Sequence, residues 1–233
     1  MMNQQTSQGV LAIWHDLDSS SENDFQEWHT RQHMIERLSV PGFLRGCRYV
    51  AVESTPLVFN YYLTESPEVL TSSPYLDRLN NPTEWTSRVV PTLRNVCRSA
   101  GHVVASIGQG QGGAIATLRF SPLPDKCGPF ETWIVKRGLQ QLVELPGIVA
   151  THLWKADSSA SEVETVESLA RSSNAAIADW TLALEGNNVE FVRSASNWLL
   201  QQKEFADAVQ EDEKVGFYRL QHHLDTQPLS KRK

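Results

Sequence analysis

The feature that most constrains this chain is internal repetition. Gly9-Val-Leu-Ala-Ile-Trp-His15 recurs as Gly113-Ala-Ile-Ala-Thr-Leu-Arg119 at an offset of 104, and Leu38-Ser-Val-Pro-Gly-Phe43 recurs as Val143-Glu-Leu-Pro-Gly-Ile148 at an offset of 105. His152-Leu-Trp154 then falls opposite Cys47-Arg-Tyr49. A period near 105 in a chain of 233 residues means two copies of one supersecondary unit, each of about 100 residues. Between them lies Gly108 to Gly113, GQGQGG, which a strand rather than a helix follows. That context does not suit a phosphate-binding loop, so the stretch reads as a linker.

Each copy reads as βαββαβ. In the first, Gly9 to His15 is a strand with Leu11, Ile13 and His15 on one face. Ser21 with Asp24 resembles a capping box ahead of a helix whose apolar stripe is Phe25, Trp28, Ile35 and Leu38. Pro41-Gly42 ends that helix. Residues 44–53 and 57–64 form a hairpin about Ser54-Thr55-Pro56. A second helix opens at Ser66-Pro67, and 102–107 is the fourth strand. In the second copy, 177–184 is the third strand, 188–200 a helix capped by Asn187 or Asn188, and 215–222 the fourth strand. Residues 157–174 are a long hairpin connection or a short exposed helix, and the tail from 225 to 233 is frayed. The expected fold is α+β: tandem ferredoxin-like modules, 8–108 and 113–223, whose antiparallel sheets meet face to face as a barrel within one chain.

Charge narrows the partners. The net charge is -6 and the basic residues are scattered, which disfavours nucleic acid or an anionic membrane and leaves a small-molecule substrate. The sequence has no apolar run of membrane-spanning length and no signal-like opening, so a cytoplasmic location is expected. Cys47, Cys97 and Cys127 read as reduced thiols, chiefly buried small hydrophobes.

The chemistry-bearing stretch is Phe25 to Tyr49. On a regular helix His29, His33 and Glu36 stack at i, i+4 and i+7, facing one volume that His15 can approach from the first strand. An imidazole titrating near neutrality suits acid/base work. The competing readings are hydrogen-bonded imidazoles on a half-exposed helix face, or an HxxxH metal pair, for which no HExxH or clear third ligand exists. Arg48, Arg88, Arg94 and Arg98 can clamp a carboxylate or enolate, or else pair with acidic residues at module edges. Tyr49, Tyr62, Trp28 and Trp85 can line an aromatic pocket or simply fill the core. No G-x-S-x-G nucleophile motif occurs. At the 104 offset His15, His29, His33 and Glu36 face Arg119, Trp133, Arg137 and Gln140, so the His/Glu set belongs to the first copy alone.

WHD at 14–16, EWHTRQHMIERL at 27–38, PGFLRGCRY at 41–49, YLDRLNNPTEWTSR at 75–88 and RNVCR at 94–98 resemble the dimeric α+β-barrel superfamily, in a two-domain, EthD-like bacterial group. The chain departs from the group's EH-x-P-ER pattern at Gln32, so no carboxylate precedes His33. The resemblance implies a pocket between sheet and helices of one module. The residues themselves, a histidine base with an arginine or tyrosine to hold an enolate, point to a cofactor-independent lyase, isomerase or cyclase acting on an aromatic or unsaturated carbonyl compound, as in aromatic catabolism. In that reading His33 or His29 is the base, His15 or Glu36 orients it, and Arg48 or Tyr62 holds the oxygen, with Tyr49, Trp28, Trp85 and Arg88 around the substrate. The alternatives are a non-catalytic ligand-binding or scaffold protein and a haem- or metal-binding enzyme. Unpaired edge strands suggest a homodimer.

Overall fold

The computed structural model describes residues 8–52, 54–171, 175–209 and 213–226. Eight antiparallel strands form a closed barrel in the order β1-β3-β2-β8-β5-β7-β6-β4. They are β1 (Gly9–Leu17), β2 (Phe43–Ala51), β3 (Val58–Thr64), β4 (Leu93–Gly108), β5 (Ala114–Phe120), β6 (Ile148–Ala156), β7 (Trp180–Gly186) and β8 (Lys214–Asp225). Each half contributes its strands in the same spatial order, fourth, first, third, second.

The fourth strands close the ring. β4 starts at Leu93, nine residues before the expected 102, and runs 16 residues. Its first part pairs with β1 and its last part, from Gly101, pairs with β6 of the other half. β8 does the same, with β5 and then β2. The halves therefore join edge to edge rather than face to face. Among the described residues this leaves the barrel no free strand edge, which removes the edge pairing that suggested a homodimer.

One layer of helix packs outside each half. Helix α1 spans 22–38 and is built from Glu22–Trp28, a π-helical turn His29–His33 and Met34–Leu38. Its counterpart over 127–143 repeats that plan as Cys127–Trp133, a π turn Ile134–Gly138 and Leu139–Val143. Both helices stop at Pro-Gly, where Gly42 has φ 91° and Gly147 φ 71°, a region that favours glycine. The Ser21 cap does not form. Asp24 instead accepts from Trp85 Nε1 at 2.8 Å and pairs with Arg88 at 3.0 Å, pinning the start of α1 to Glu84–Val89. Instead of a helix at Ser66, Pro67–Thr71 is a 3-10 turn, and the helix follows at Ser73–Asn80. Asn188 does cap Val189–Leu200, accepting from Phe191 N. The connection after β6 holds two short helices, Ser158–Ser161 and Val166–Leu169. Residues 172–174 and 227–233 of the two segments expected to be loop and frayed tail lie outside the described residues.

The Gly-rich stretch between the halves does more than link. Gln111 Nε2 reaches Cys47 Sγ at 3.0 Å and Tyr49 Oη at 3.3 Å, and Gly112 N–H donates to Glu185 Oε2 at 2.8 Å. It stoppers one end of the barrel, where a Cβ on Gly112 would lie 2.4 Å from the Gly186 carbonyl oxygen.

From the first strand through the second, the structural offset of the repeat is 105. Helices, π turns, Pro-Gly stops and second strands all coincide at that value, as do the first strands in their pairing with the third. The offset of 104 for the first strand is therefore one residue out. In a strand that error turns a side chain to the opposite face. His15 corresponds to Phe120 rather than Arg119, His29 to Ile134, His33 to Gly138 and Glu36 to Gln141.

Candidate functional site

β1 alternates strictly. Val10, Ala12 and Trp14 fill the barrel interior, while Leu11, Ile13 and His15 face outward under α1. His15 lies in a bulge between Trp14 and Asp16 of the pairing with β4, an irregularity that re-aims side chains. Opposite, β3 offers Asn60 and Tyr62 on the same outer face. α1 brings His29 and His33 down onto them, and the three histidines border one cavity of about 40 Å³. Trp28 and Phe25 wall it, and Glu167 and Arg171 from the connection after β6 cover it.

The imidazoles and Asn60 are buried: His15 is 1%, His29 2%, Asn60 3% and His33 7% exposed. His15 is fully engaged. Its Nδ1 donates to the Asp16 carbonyl at 3.1 Å, and Asn60 Nδ2 donates to its Nε2 at 3.2 Å. His29 is half engaged, with Nε2 3.3 Å from Tyr62 Oη and Nδ1 without a hydrogen-bond partner. His33 packs against Trp28 at 4.1 Å between ring centroids, the planes tilted by 40°, and its Nδ1 has no partner either. The His29 and His33 rings are 5.5 Å apart.

Burial dominates the electrostatics. Desolvation lowers His15 to about 4 and holds His29 and His33 well below the ordinary 6.5, with Arg48 adding to the effect on His29 and Arg37 to that on His33. All three imidazoles are neutral at pH 7. Burial raises the Tyr62 hydroxyl well above its ordinary value, so it keeps its proton and can donate it.

The structure separates the remaining sequence candidates. Glu36 is half-exposed and does not line the cavity; its neighbour Arg37 faces inward, 3% exposed, in a buried ion pair with Glu167. Arg48 is a strut: its guanidinium donates to Gln221 Oε1 at 2.8 Å, Thr30 Oγ1 at 3.0 Å and the Gln26 carbonyl at 3.2 Å, tying α1 to β2 and β8. Tyr49 points to the barrel interior, on the other side of the sheet from His15. Trp85 and Arg88 hold Asp24 at the start of α1. Arg94 pairs with Asp18, and Arg98 donates to the carbonyls of Ala160 and Ser161.

Sequence reading missed Asn60, Arg37, Glu167 and Arg171. Asn60 left a trace, as one amide in the apolar run Val58–Thr64. Glu167 and Arg171 left none, because they come from a Ser-rich connection in the other half.

Metal and haem fit poorly. Among the described residues no three or more of His, Cys, Asp and Glu are grouped to hold a metal ion. The space beside the imidazoles is far below the several hundred Å³ of a cofactor pocket. Among the described residues no helix is long and apolar enough to cross a membrane.

No protein-family model and no curated protein sequence matches the chain. Solved structures do. An anthrone oxidase-like protein aligns with TM-score 0.60 at 12% identity, over 95% of this chain and 94% of that one. A candidate monooxygenase from Fusobacterium nucleatum aligns with TM-score 0.56 at 12% identity, over 96% and 99%. A candidate chlorite dismutase aligns with TM-score 0.59 at 10% identity, over 93% and 96%. At such identities the likeness is one of fold, and that fold is the α+β barrel.

Proposed function

We propose that this chain is an enzyme of small-molecule chemistry, built from two duplicated ferredoxin-like modules, 8–108 and 113–223. Its acid/base site is the imidazole pocket of the first. One observation carries the reading. At the 105 offset and the matching strand registers, His15, His29, Asn60 and Tyr62 correspond to Phe120, Ile134, Leu182 and Leu184, all at most 3% exposed and part of one hydrophobic cluster. The fold packs this position with hydrocarbon when it has no other use for it. Four polar side chains there, one of them an imidazole (His29) with an unpaired nitrogen, cost stability that a structural role does not recover.

The reaction proposed is proton removal beside a carbonyl, leading to elimination, isomerisation or cyclisation of an aromatic or unsaturated carbonyl compound without a cofactor. In the tautomer protonated at Nε2, His29 donates to Tyr62 Oη and leaves its Nδ1 lone pair free to take the proton. His33 is the second base candidate. His15, with both nitrogens occupied, is a positioning residue that fixes Asn60. The Tyr62 hydroxyl and the charge of Arg171 stabilise the enolate oxygen, the part first given to Arg48. The imidazole cavity admits only the reacting end of a substrate. A neighbouring cavity of about 510 Å³, lined by Arg98, Thr165, Leu169 and Ile177, is large enough for the rest, and Arg171 borders both.

The likeness to oxidase- and monooxygenase-named structures supports a second reading, in which the same deprotonated substrate passes electrons to dioxygen. Both share the first step. The test is solvent exchange of acidic C–H protons, followed by NMR in D2O across a panel of aromatic and enone carbonyl compounds, with an oxygen electrode to separate the two outcomes. His29→Gln and His33→Gln together are expected to lower exchange by about 100-fold or more. Exchange at the wild-type rate in a folded double variant would remove the assignment.

A further inference from the structure

A separate cavity lies at the end of the barrel opposite the Gly-rich stopper. It measures about 590 Å³, and Arg119, Phe120, Cys97, Asp16, Asn95 and Lys214 are among its walls. Arg119 is its distinctive member. Arg119 lies on the inward face of β5, like Ile115 and Thr117, and is 8% exposed. Its guanidinium carbon sits 4.8 Å from the centre of the Trp14 ring, a cation–π arrangement that fixes its plane. Trp14 is itself held by donation from Nε1 to Thr117 Oγ1 at 3.1 Å.

What Arg119 lacks among the described residues is an anion. Its Nε has no hydrogen-bond partner, and among the described residues no carboxylate forms an ion pair with it. The described acid among the cavity walls, Asp16, is committed elsewhere: it accepts from Leu57 N at 2.7 Å and from Asn95 Nδ2 at 2.8 Å. A charged fork held nine-tenths out of water without a counter-ion is costly unless a ligand brings one. At the rim stands a second cation, the exposed Lys214. The walls between are apolar, with Phe120, Pro56, Ile177 and Val215.

We propose that this end of the barrel is a binding site for a small organic carboxylate with an apolar body. The carboxylate lies on the Arg119 fork, whose two parallel donors match its two oxygens, and the hydrocarbon part lies along Phe120 and Val215. The cavity volume falls within the usual range for small-molecule sites. The site is independent of the imidazole pocket, from which β1 separates it: Trp14 is on one side of that strand and His15 on the other.

Calorimetric titration with benzoate, cyclohexanecarboxylate and the uncharged benzamide tests this, with tryptophan fluorescence as a second signal from Trp14. Both carboxylates should bind with a dissociation constant of roughly 1 mM or tighter, the range open to ligands of that size, and benzamide should not bind. Arg119→Met keeps the stem over Trp14 and removes the charge; it should weaken binding about tenfold or more, with Arg119→Lys recovering part of the loss. Lys214→Glu alters only an exposed rim position, so it reports even if the Arg119 variants fail to fold, and it should weaken binding severalfold. The proposal falls if neither carboxylate binds, if benzamide binds as well as benzoate, or if Lys214→Glu or folded Arg119→Met binds both acids like the wild type.

Discussion

Acidification should unfold this protein through its neutral imidazoles, and the size of the effect follows from the site. His15 is lowered by burial from 6.5 to about 4. Between those values the unfolded chain binds a proton that the folded chain excludes. The stabilisation is therefore complete above pH 6.5 and lost as the pH falls toward 4. For His15 alone the loss is about 2 kcal/mol at pH 5 and about 3 kcal/mol at pH 4. His29 and His33 are shifted the same way by burial and add to it. Asp24, Glu68, Asp157 and Asp225 have lowered values, so they give up their contributions only below the ordinary 3.8 to 4.5. The window between 6.5 and about 4.5 belongs mainly to the imidazoles. Urea unfolding followed by circular dichroism, from about pH 7 to about pH 4, should show stability falling by at least about 2 kcal/mol by pH 5. In a variant with His15→Phe and His29→Ile, the residues that the other half uses, the profile should flatten. Equal stability at pH 7 and pH 5, or an equally steep profile in that variant, would refute the account of the pocket as a dry site holding neutral histidines.

Other outcomes follow from the same structure. Glu167→Gln leaves Arg37 buried without its counter-charge and should cost about 3–5 kcal/mol, whereas Arg37→Met with Glu167→Leu should be close to neutral; thermal unfolding of both distinguishes them. Gly147→Ala meets both a φ of 71° and a Phe191 ring atom 2.2 Å from the new Cβ, so it should destabilise by more than about 1 kcal/mol in urea titrations. Tyr62→Phe removes the hydroxyl beside His29 without removing the ring; once a substrate is identified, kcat should fall about tenfold or more while the unfolding midpoint moves little.

The sequence by itself determined the internal repetition, the order of the strands within each half, the Pro-Gly stops, and the presence of His15, His29 and His33 near one volume. Those rest on local signals: apolar periodicity, glycine at positive φ, and the placing of β1 and α1 as neighbours in the chain. Tertiary structure alone decided the rest. The two cavities proposed as sites are closed by residues far apart in sequence, Glu167 and Arg171 over the histidines and Arg119 over Trp14, and no local pattern encodes such a meeting. Arg48 and Arg119 show why. Arg48 looked like an anion clamp but is consumed by Gln221, Thr30 and the Gln26 carbonyl, while Arg119 looked like the counterpart of a histidine and is a buried guanidinium whose Nε has no partner among the described residues. A single residue of register separates those readings of Arg119. Side chains in a strand alternate between faces, so the pairing of β5 with β7 and β8, which the sequence does not state, decides whether position 119 lies under a helix or inside the barrel.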